Sequence, residues 1–383
     1  MFIQTSYFFT VVLAAKFYKE KQIKSDKKVK ATILIPAHNE ETVIEKTLYS
    51  IKKQLPKGDN VLVVADNCND RTAGLIRNFS TLNGKDFKVI ERNDTSQTGK
   101  GYALDFGVKH LQSEPPEILI IIDADCSIGE NAIDLLKQNA IATQRTVQAN
   151  YLIEDKSSTS LLGKVSTFAL IVKNIVRQAG TKVLGTPCIL VGSGMAFPWK
   201  DINSIQLASA NIVEDMQMGI DLALLGSEPI YCHDALIRSN LPTDEKTLLS
   251  QRKRWEHGAI QTLLTQAPKL LKEGITKSKP SLIIHALDIG LLPLSLLILL
   301  TTGALIVNSF LFLYQQGNTA LILSSIMFLQ LFVASFIAWW GWGKNTISFK
   351  ELLKIPAYIF WKIPLYFSFI LKREKKWART ERN

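Results

Sequence analysis

Two aspartates one residue apart, Asp123 and Asp125, follow the apolar run EILIII. Side chains at positions i and i+2 of an extended chain share one face, so both carboxylates can converge on a single cation. Hard carboxylate oxygens suit Mg²⁺ or Mn²⁺, which take one or two carboxylates and complete their shells with water and phosphate oxygens. A D-x-D alone fits an ordinary solvated strand end just as well. Three other groups sharpen the metal and phosphate reading. Thr98-Gly99-Lys100-Gly101 is a glycine-flanked lysine opening a helical stretch, a form suited to a diphosphate and equally to a plain loop. Glu214 and Asp215, in NIVEDMQMGIDL, pair two acids at the start of an apolar helical stretch, where the plain alternative is a helix cap. Gln251-Arg252-Lys253-Arg254-Trp255 sets three adjacent cations beside an indole, and the plain alternative is a basic helix facing a membrane.

Elements that could position these groups are visible in the hydrophobic pattern. ATILIPA (31–37), DNVLVVAD (59–66) and EILIIIDAD (117–125) read as buried strands, and 40–54 and 70–79 read as helices. Short apolar strands alternating with helices predict an α/β fold with a mostly parallel sheet covered on both faces. Ligands in such folds sit at the carboxyl ends of the strands. These strands end in His38-Asn39-Glu40, in Asp66-Asn67 and in the aspartate pair. Further along, 128–145 reads as a helix, 147–153 as a strand and 157–179 as a longer amphipathic helix. Gly192-Ser193-Gly194 reads as a flexible loop, and 246–267 as an amphipathic helix ended by Pro268.

Taken in order, ILIPAHNE, VVADNCND, TGKGYALDFG, IIDADC, GSGMAF, VEDMQMG and QRKRW resemble the membrane-embedded family-2 glycosyltransferases, the group of the cellulose, chitin and hyaluronan synthases. The resemblance runs from about residue 31 to 258 and implies a GT-A-type nucleotide-sugar-binding domain. It assigns Glu40 and Asp66 to the uridine and ribose, Lys100 to the diphosphate, Asp123 to the nucleotide and metal, and Asp125 to the metal, Mg²⁺ or Mn²⁺. Asp215, with Glu214 beside it, matches the general base of the family's T-E-D motif, with Val213 here in place of Thr. Gln251, Arg254 and Trp255 match Q-x-x-R-W, in which Arg steadies the departing diphosphate and Trp stacks on the acceptor sugar. The chemistry agrees with such roles, because leaving-group charge must be met by a metal and cations while the acceptor hydroxyl loses a proton. No second acid is placed for a two-carboxylate retaining route, so inversion with one base is expected.

The chain has 383 residues, more than one core usually fills. From Ile289 to Gly343 it has no Asp, Glu, Lys, Arg or His, enough for two membrane spans near 289–314 and 319–342, divided by Gln315-Gln316-Gly317-Asn318. Residues 1–18 read as a retained N-terminal anchor rather than a signal peptide, because lysines and no small-residue cleavage site follow. The expected division is therefore an anchor (1–18), a transferase domain (31–245), an amphipathic region with QRKRW (246–280), two transmembrane helices (281–343), and an interfacial helix with a basic tail (350–383). The net charge of +11 is concentrated in flanks: residues 16–30 carry seven Lys and two acids, and 372–383 carry six basic residues and two acids. Cytoplasmic stretches facing anionic lipid explain that charge without nucleic acid. Four scattered cysteines argue against a zinc site or disulfide framework and fit a reducing cytosol.

These readings converge on an inverting, metal-dependent transferase of the inner cell membrane, multi-pass, with its catalytic domain cytoplasmic. It would move sugar from a nucleotide-sugar donor, a UDP-sugar, to a lipid-linked or exopolysaccharide acceptor. A processive polysaccharide synthase, with export partners, is the close alternative; a non-catalytic sugar-nucleotide-binding membrane sensor is disfavoured because the metal carboxylates and base are both present. A transporter would need intramembrane charges that the spans lack.

Overall fold

The computed structural model describes residues 1–19, 27, 29–84, 86–154, 160–209, 213–242, 244–314 and 318–356, together with 359, 363 and 366. In chain order the first half comprises α1 (Phe2–Ala15), β1 (Ala31–Ala37), α2 (Ile44–Lys52), β2 (Asn60–Asp66), α3 (Thr72–Asn83), β3 (Phe87–Arg92), α4 (Lys100–Leu111), β4 (Ile118–Ile121), β5 (Ser127–Ile128), α5 (Ala132–Thr143) and β6 (Val147–Glu154). There follow α6 (Leu161–Ile171), a π-helical turn (Val172–Val176), α7 (Arg177–Val183), β7 (Met195–Pro198), α8 (Trp199–Ile202), α9 (Glu214–Leu225) and β8 (Ile230–Asn240). The chain continues with α10 (Glu245–Thr276), α11 (Pro280–Ile289), α12 (Leu294–Leu313), α13 (Asn318–Ala338), a second π turn (Trp339–Gly343) and α14 (Phe349–Leu352).

The strands form one mostly parallel sheet in the order β3-β2-β1-β4-β7-β6-β8-β5. β1, β2, β3 and β4 run parallel, as the uninterrupted apolar runs predict, because helices cover both faces. Ile33, Ile35, Val61 and Ile120 point into the core on one face, Leu34, Leu62, Leu119 and Ile121 into the core on the other. β7 enters antiparallel between β4 and β6, and β8 pairs parallel with β6. At the ends of β1 and β2 the chain turns through Asn39 and Asn67, both left-handed, a conformation that asparagine tolerates. Their side chains close the turns: Asn39 Oδ1 accepts from the Asn69 amide at 2.8 Å, and Asn67 Oδ1 from the Asp94 amide at 2.7 Å.

Several expectations need correction. The helix 246–267 does not end at Pro268; α10 runs through it to Thr276, because its far half packs on α11, with Leu270 and Leu282 both fully buried. The stretch 157–179 is not one α-helix but α6, a π turn and α7. The apolar run 289–314 is broken at Gly290–Pro293, so its long helix starts at Leu294, and Pro280–Ile289 is a separate helix against α10. The strand 117–125 stops at Ile121, leaving the aspartate pair in the turn beyond it.

α12 and the segment 318–343 are long and apolar enough to cross a membrane by length and composition. They leave Ile306, Phe310, Phe332 and Trp340 more than half exposed. α1 packs on α13 and α7, where Gly180 permits contact that a Cβ would block, since it would lie 2.1 Å from the Val11 carbonyl oxygen. Thr5 Oγ1 donates to Gln330 Oε1 at 2.8 Å across the same junction. The basic tail 372–383 and most of the expected interfacial helix lie outside the described residues.

Candidate active site

The carboxyl ends of β1, β2 and β4 open into a single cleft, lined among others by Glu40, Asp66, Lys100, Asp123, Asp125, Glu214, Asp215, Gln251, Arg254 and Trp255. All ten residues singled out in the sequence therefore meet, although they span more than two hundred positions.

Asp66 ends β2 in a buried ion pair with Arg92, at 2.7 Å, and Arg92 reaches on to Asp94 at 3.1 Å. Removing one partner of such a pair strands a buried charge and costs about 3–5 kcal/mol. No motif pointed to Arg92; its sequence signal is no more than a cation closing the weakly apolar strand FKVIER. Glu40 is positioned by its own amide, which donates to Thr72 Oγ1 at 2.8 Å.

Lys100 opens α4 after Gly99, whose φ of 131° favours glycine. Its Nζ pairs with Asp123 at 2.5 Å and donates to the Gly192 carbonyl at 2.7 Å. Burial alone would lower the Lys100 ammonium, but the carboxylates of Asp123, Glu214 and Asp215 outweigh it and hold its pKa above the ordinary value. Gly192 itself could not carry a side chain easily. Its φ of 97° strains any other residue, whereas a Cβ would make only ordinary contact, 3.4 Å from Asp215 Oδ2 and 3.7 Å from Lys100 Nζ. The loop read as merely flexible is thus a backbone wedge between the two acidic pairs.

The turn after β4 brings carboxylate oxygens of Asp123 and Asp125 and the Cys126 sulfur within 4.8 Å of one another. Their convergence comes from this turn, not from strand alternation. Ser239 Oγ on β8 donates to Asp125 Oδ2 at 2.9 Å, and the Asp123 amide donates to Ser193 Oγ at 3.0 Å. Burial pushes the Cys126 thiol well up, and its sulfur lies 3.2 Å from Ser193 Oγ, so it stays a neutral thiol. The donor set that can hold an ion is the pair of hard carboxylates, which fits Mg²⁺ or Mn²⁺. Cys126 and Ser193 stand in the stretches IIDADC and GSGMAF but had no role there, and Ser239 carried no signal in the sequence.

Glu214 and Asp215 begin α9, and Asp215 Oδ1 accepts from the Met216 amide at 2.8 Å. Burial and the adjacent Asp215 carboxylate push Glu214 up from its ordinary 4.5 to about 7. Between those values the native state keeps a proton that the unfolded chain releases, so stability falls as pH rises through that window. Glu214→Gln removes that cost. With chelator present, it is expected to raise the thermal midpoint by roughly 2–4 °C near pH 8 and by nothing near pH 4, allowing for the partial exposure of the carboxyl. Differential scanning fluorimetry at the two pH values checks this; an equal shift at both would mean that charge is not the cause.

Gln251, Arg254 and Trp255 lie at positions i, i+3 and i+4 of α10 and so share the face turned to the cleft. Burial lowers the Arg254 guanidinium, and Glu214 opposes the shift. Trp255 also packs against the sheet core. Arg252 does not join them. It donates to Ser166 on α6 and pairs with Glu256 at 3.5 Å, tying α10 to α6. Lys173 and Asn174, on the first π turn, line the cleft too and were not anticipated.

A cleft of paired carboxylates, cations and an indole at the strand ends of an α/β sheet is a glycosyl-transfer architecture, and known proteins agree. Residues 118–371 match Glycosyl transferase family group 2, and residues 32–186 match Glycosyl transferase family 2. The chain belongs to Glycosyl transferase family group 2 and is a glycosyltransferase. It is 25% identical over 263 residues to poly-beta-1,6-N-acetyl-D-glucosamine synthase of Staphylococcus aureus (strain COL), covering 67% of this chain and 61% of that protein. The synthase of the same name from Staphylococcus epidermidis is 27% identical over 263 residues, covering 65% and 61%. The chain thus spans about three fifths of the length of these curated relatives. The mannosyltransferase PcManGT from Pyrobaculum calidifontis, solved in complex with GDP-Man and Mn²⁺, superposes with a TM-score of 0.55 at 17% identity, over 87% of this chain and 96% of that one. That likeness shows the shared GT-A-type fold.

Proposed function

We propose that the protein is an inverting, metal-dependent transferase that moves a sugar from a UDP-sugar onto a membrane-associated saccharide. The carrying observation is that the metal-type carboxylates, the Lys100 cation, the acidic pair and the Arg254–Trp255 face line one cleft. A bound Mg²⁺ or Mn²⁺, held by Asp123 and Asp125, would supply Lewis-acid neutralisation of the diphosphate. Lys100 and Arg254 meet the rest of the leaving-group charge, Arg254 through its fork of donors. Asp215 takes the proton of the acceptor hydroxyl while that oxygen bonds to the anomeric carbon and the bond to the diphosphate breaks, its electron pair leaving with the phosphate. Glu40 and Asp66 face the nucleoside, and Trp255 offers an indole face to the acceptor sugar.

The two membrane-length apolar helices with exposed flanks support placing this chemistry at a membrane surface, with α1 as a third apolar helix beside them. The positive-inside tendency of the basic flanks supports a cytoplasmic catalytic face. Similarity to poly-beta-1,6-N-acetyl-D-glucosamine synthases favours an N-acetylglucosaminyl donor and raises a second reading, processive polymerisation. We favour one or few additions to a lipid-linked or exopolysaccharide acceptor, at the membrane face that the described apolar helices mark.

A donor screen with the purified protein, recording nucleoside diphosphate release for several nucleotide sugars with Mg²⁺ or Mn²⁺, tests the reading. Release from a UDP-sugar is expected. Release from none of them, with the protein folded, would sink it.

Trp255→Ala separates acceptor stacking from a membrane-anchor role. Loss of a sugar-stacking indole is expected to lower transfer about tenfold or more while hydrolysis of the donor by water changes little. Measuring both rates in detergent and in lipid nanodiscs decides; a parallel fall of both in either medium would assign Trp255 to anchoring α10.

A further inference from the structure

Lys173 and Asn174 stand on the π turn between α6 and α7, defined by the Arg177 amide donating to the Val172 carbonyl five residues back. π turns insert one residue into a helix and recur at functional sites, but the turn alone assigns nothing. The side chains say more. Asn174 lines the cleft, is 2% exposed, and donates through Nδ2 to the Tyr151 carbonyl at 3.2 Å, while its Oδ1 has no partner among the described residues. An unpaired buried amide oxygen is destabilising, a cost that a ligand donor would remove. Lys173 lines the same wall, and no hydrogen bond or ion pair to a described residue holds its ammonium. Burial lowers its pKa most, Asp215 opposes that, Arg177 repels it, and Asp288 attracts it more weakly. Lys100, by contrast, acts on Asp123, Glu214 and Asp215. Both lysines therefore act on Asp215, but only Lys100 also pairs with Asp123, so Lys173 stands on the base's side of the cleft away from the carboxylate that would face the diphosphate.

Whatever enters beside Asp215 opposite the diphosphate is the molecule that gives up a proton, which is the acceptor. Leu170, one helical turn before Lys173, adds an apolar surface on the same wall, and Trp255 lines the cleft as well. An apolar patch, an indole, an unengaged ammonium and a buried carbonyl-type acceptor suit a neutral sugar ring with hydroxyl and amide substituents.

We propose that the π turn at Val172–Val176 forms the acceptor-saccharide subsite, in which Lys173 donates to an oxygen substituent of the sugar and Asn174 Oδ1 accepts from a hydroxyl or amide N–H. This rests on the glycosyl-transfer reading above and adds the residues that choose the acceptor. Lys173 contacts the acceptor rather than the nucleotide, so its removal changes acceptor affinity and not donor affinity.

The test uses the full chain in nanodiscs, with a β-1,6-linked N-acetylglucosamine trisaccharide as probe. Its affinity is measured by calorimetry in the presence of UDP and Mn²⁺, and UDP affinity is measured separately, for wild type, Lys173→Met and Lys173→Arg. Lys173→Met is expected to weaken trisaccharide binding about tenfold, as for loss of a charge-assisted hydrogen bond, with UDP affinity held within about twofold. Lys173→Arg is expected to recover most of the loss. Unchanged trisaccharide affinity in Lys173→Met, an equal loss of UDP affinity, or no trisaccharide binding by the wild type would each overturn the subsite. Wild-type protein that binds the trisaccharide and loses that binding in Lys173→Met, yet never extends it with any nucleotide sugar, would instead overturn the transfer reading while the subsite stands.

Discussion

Asp125→Ala is expected to abolish sugar transfer, by at least about a thousandfold, and to remove the dependence of UDP binding on divalent metal. Asp125 stands in the turn beyond β4, with Oδ2 held by Ser239 Oγ at 2.9 Å and its carboxylate within 4.8 Å of that of Asp123. The remaining Asp123 is engaged by Lys100 at 2.5 Å, so one carboxylate, already neutralised by a lysine, would be left to hold a divalent ion. Alanine keeps the backbone and removes the charge with the hydrogen bonds that the carboxylate accepts, from Ser239 Oγ among them. The loss should therefore appear in turnover and metal response more than in the melting temperature. UDP titrations with and without Mn²⁺, beside a diphosphate-release assay, check this; a folded variant that keeps full activity in excess chelator would refute the metal role.

Ser239→Ala provides an internal comparison of how the fold supports that ion. Ser239 lies on β8, far from Asp125 in sequence, and reaches it because β8 pairs with β6 beside the cleft. Groups that orient ligating carboxylates typically change metal affinity by about 10–100-fold when removed. A smaller and graded loss is thus expected there, recovered by raising the Mn²⁺ concentration.

What the sequence disclosed and what it hid follow the same physics. β1, β2 and β4 were legible because both faces of a central parallel strand are buried, which leaves uninterrupted runs such as TILI and VLVV. β3, at the sheet edge, needs fewer apolar residues and was missed, as was β7, whose short run MAFP follows the glycine loop and ends in a proline. β8 was missed because IYCHDALIRSN interleaves charged residues with buried ones and carries a register shift against β6. Pro268 misled because local propensity ends a helix there, whereas the packing of α10 on α11 carries it on.

The site residues were legible where chemistry is written as short spacing: D-x-D, E-D, and a helical Q-x-x-R-W. Partners drawn from distant segments left no such mark. Arg92 beneath Asp66, Ser239 beside Asp125, and Lys173 with Asn174 on the π turn are single residues in stretches without a recognisable motif. Only the sheet order brings them together. Arg252 is the reverse case, a cation inside the motif whose side chain is spent on Ser166 and Glu256 rather than on the cleft.

Asp215→Asn is expected to lower turnover by about a hundredfold or more while nucleotide affinity stays nearly constant, the signature of losing a general base. Asp215 Oδ1 is committed to the Met216 amide at 2.8 Å, which orients the carboxylate and leaves Oδ2 beside Gly192. Asparagine can keep the first contact through its amide oxygen, but the group then facing the acceptor is an NH₂ that cannot take a proton. Glu214 can replace it only in part, because burial and its neighbour hold Glu214 up near about 7, so only part of it is ionised near neutrality. Removing the Asp215 charge also relieves Glu214, one of whose largest upward influences is that carboxylate. The residual activity of Asp215→Asn should therefore depend on Glu214 and disappear in the double variant Glu214→Gln, Asp215→Asn. UDP affinity by calorimetry and transfer rate by diphosphate release, measured on the single and double variants, separate the outcomes. Equal loss of affinity and turnover in the single variant would place Asp215 at the nucleotide, and a double variant no slower than the single would remove Glu214 from the reaction.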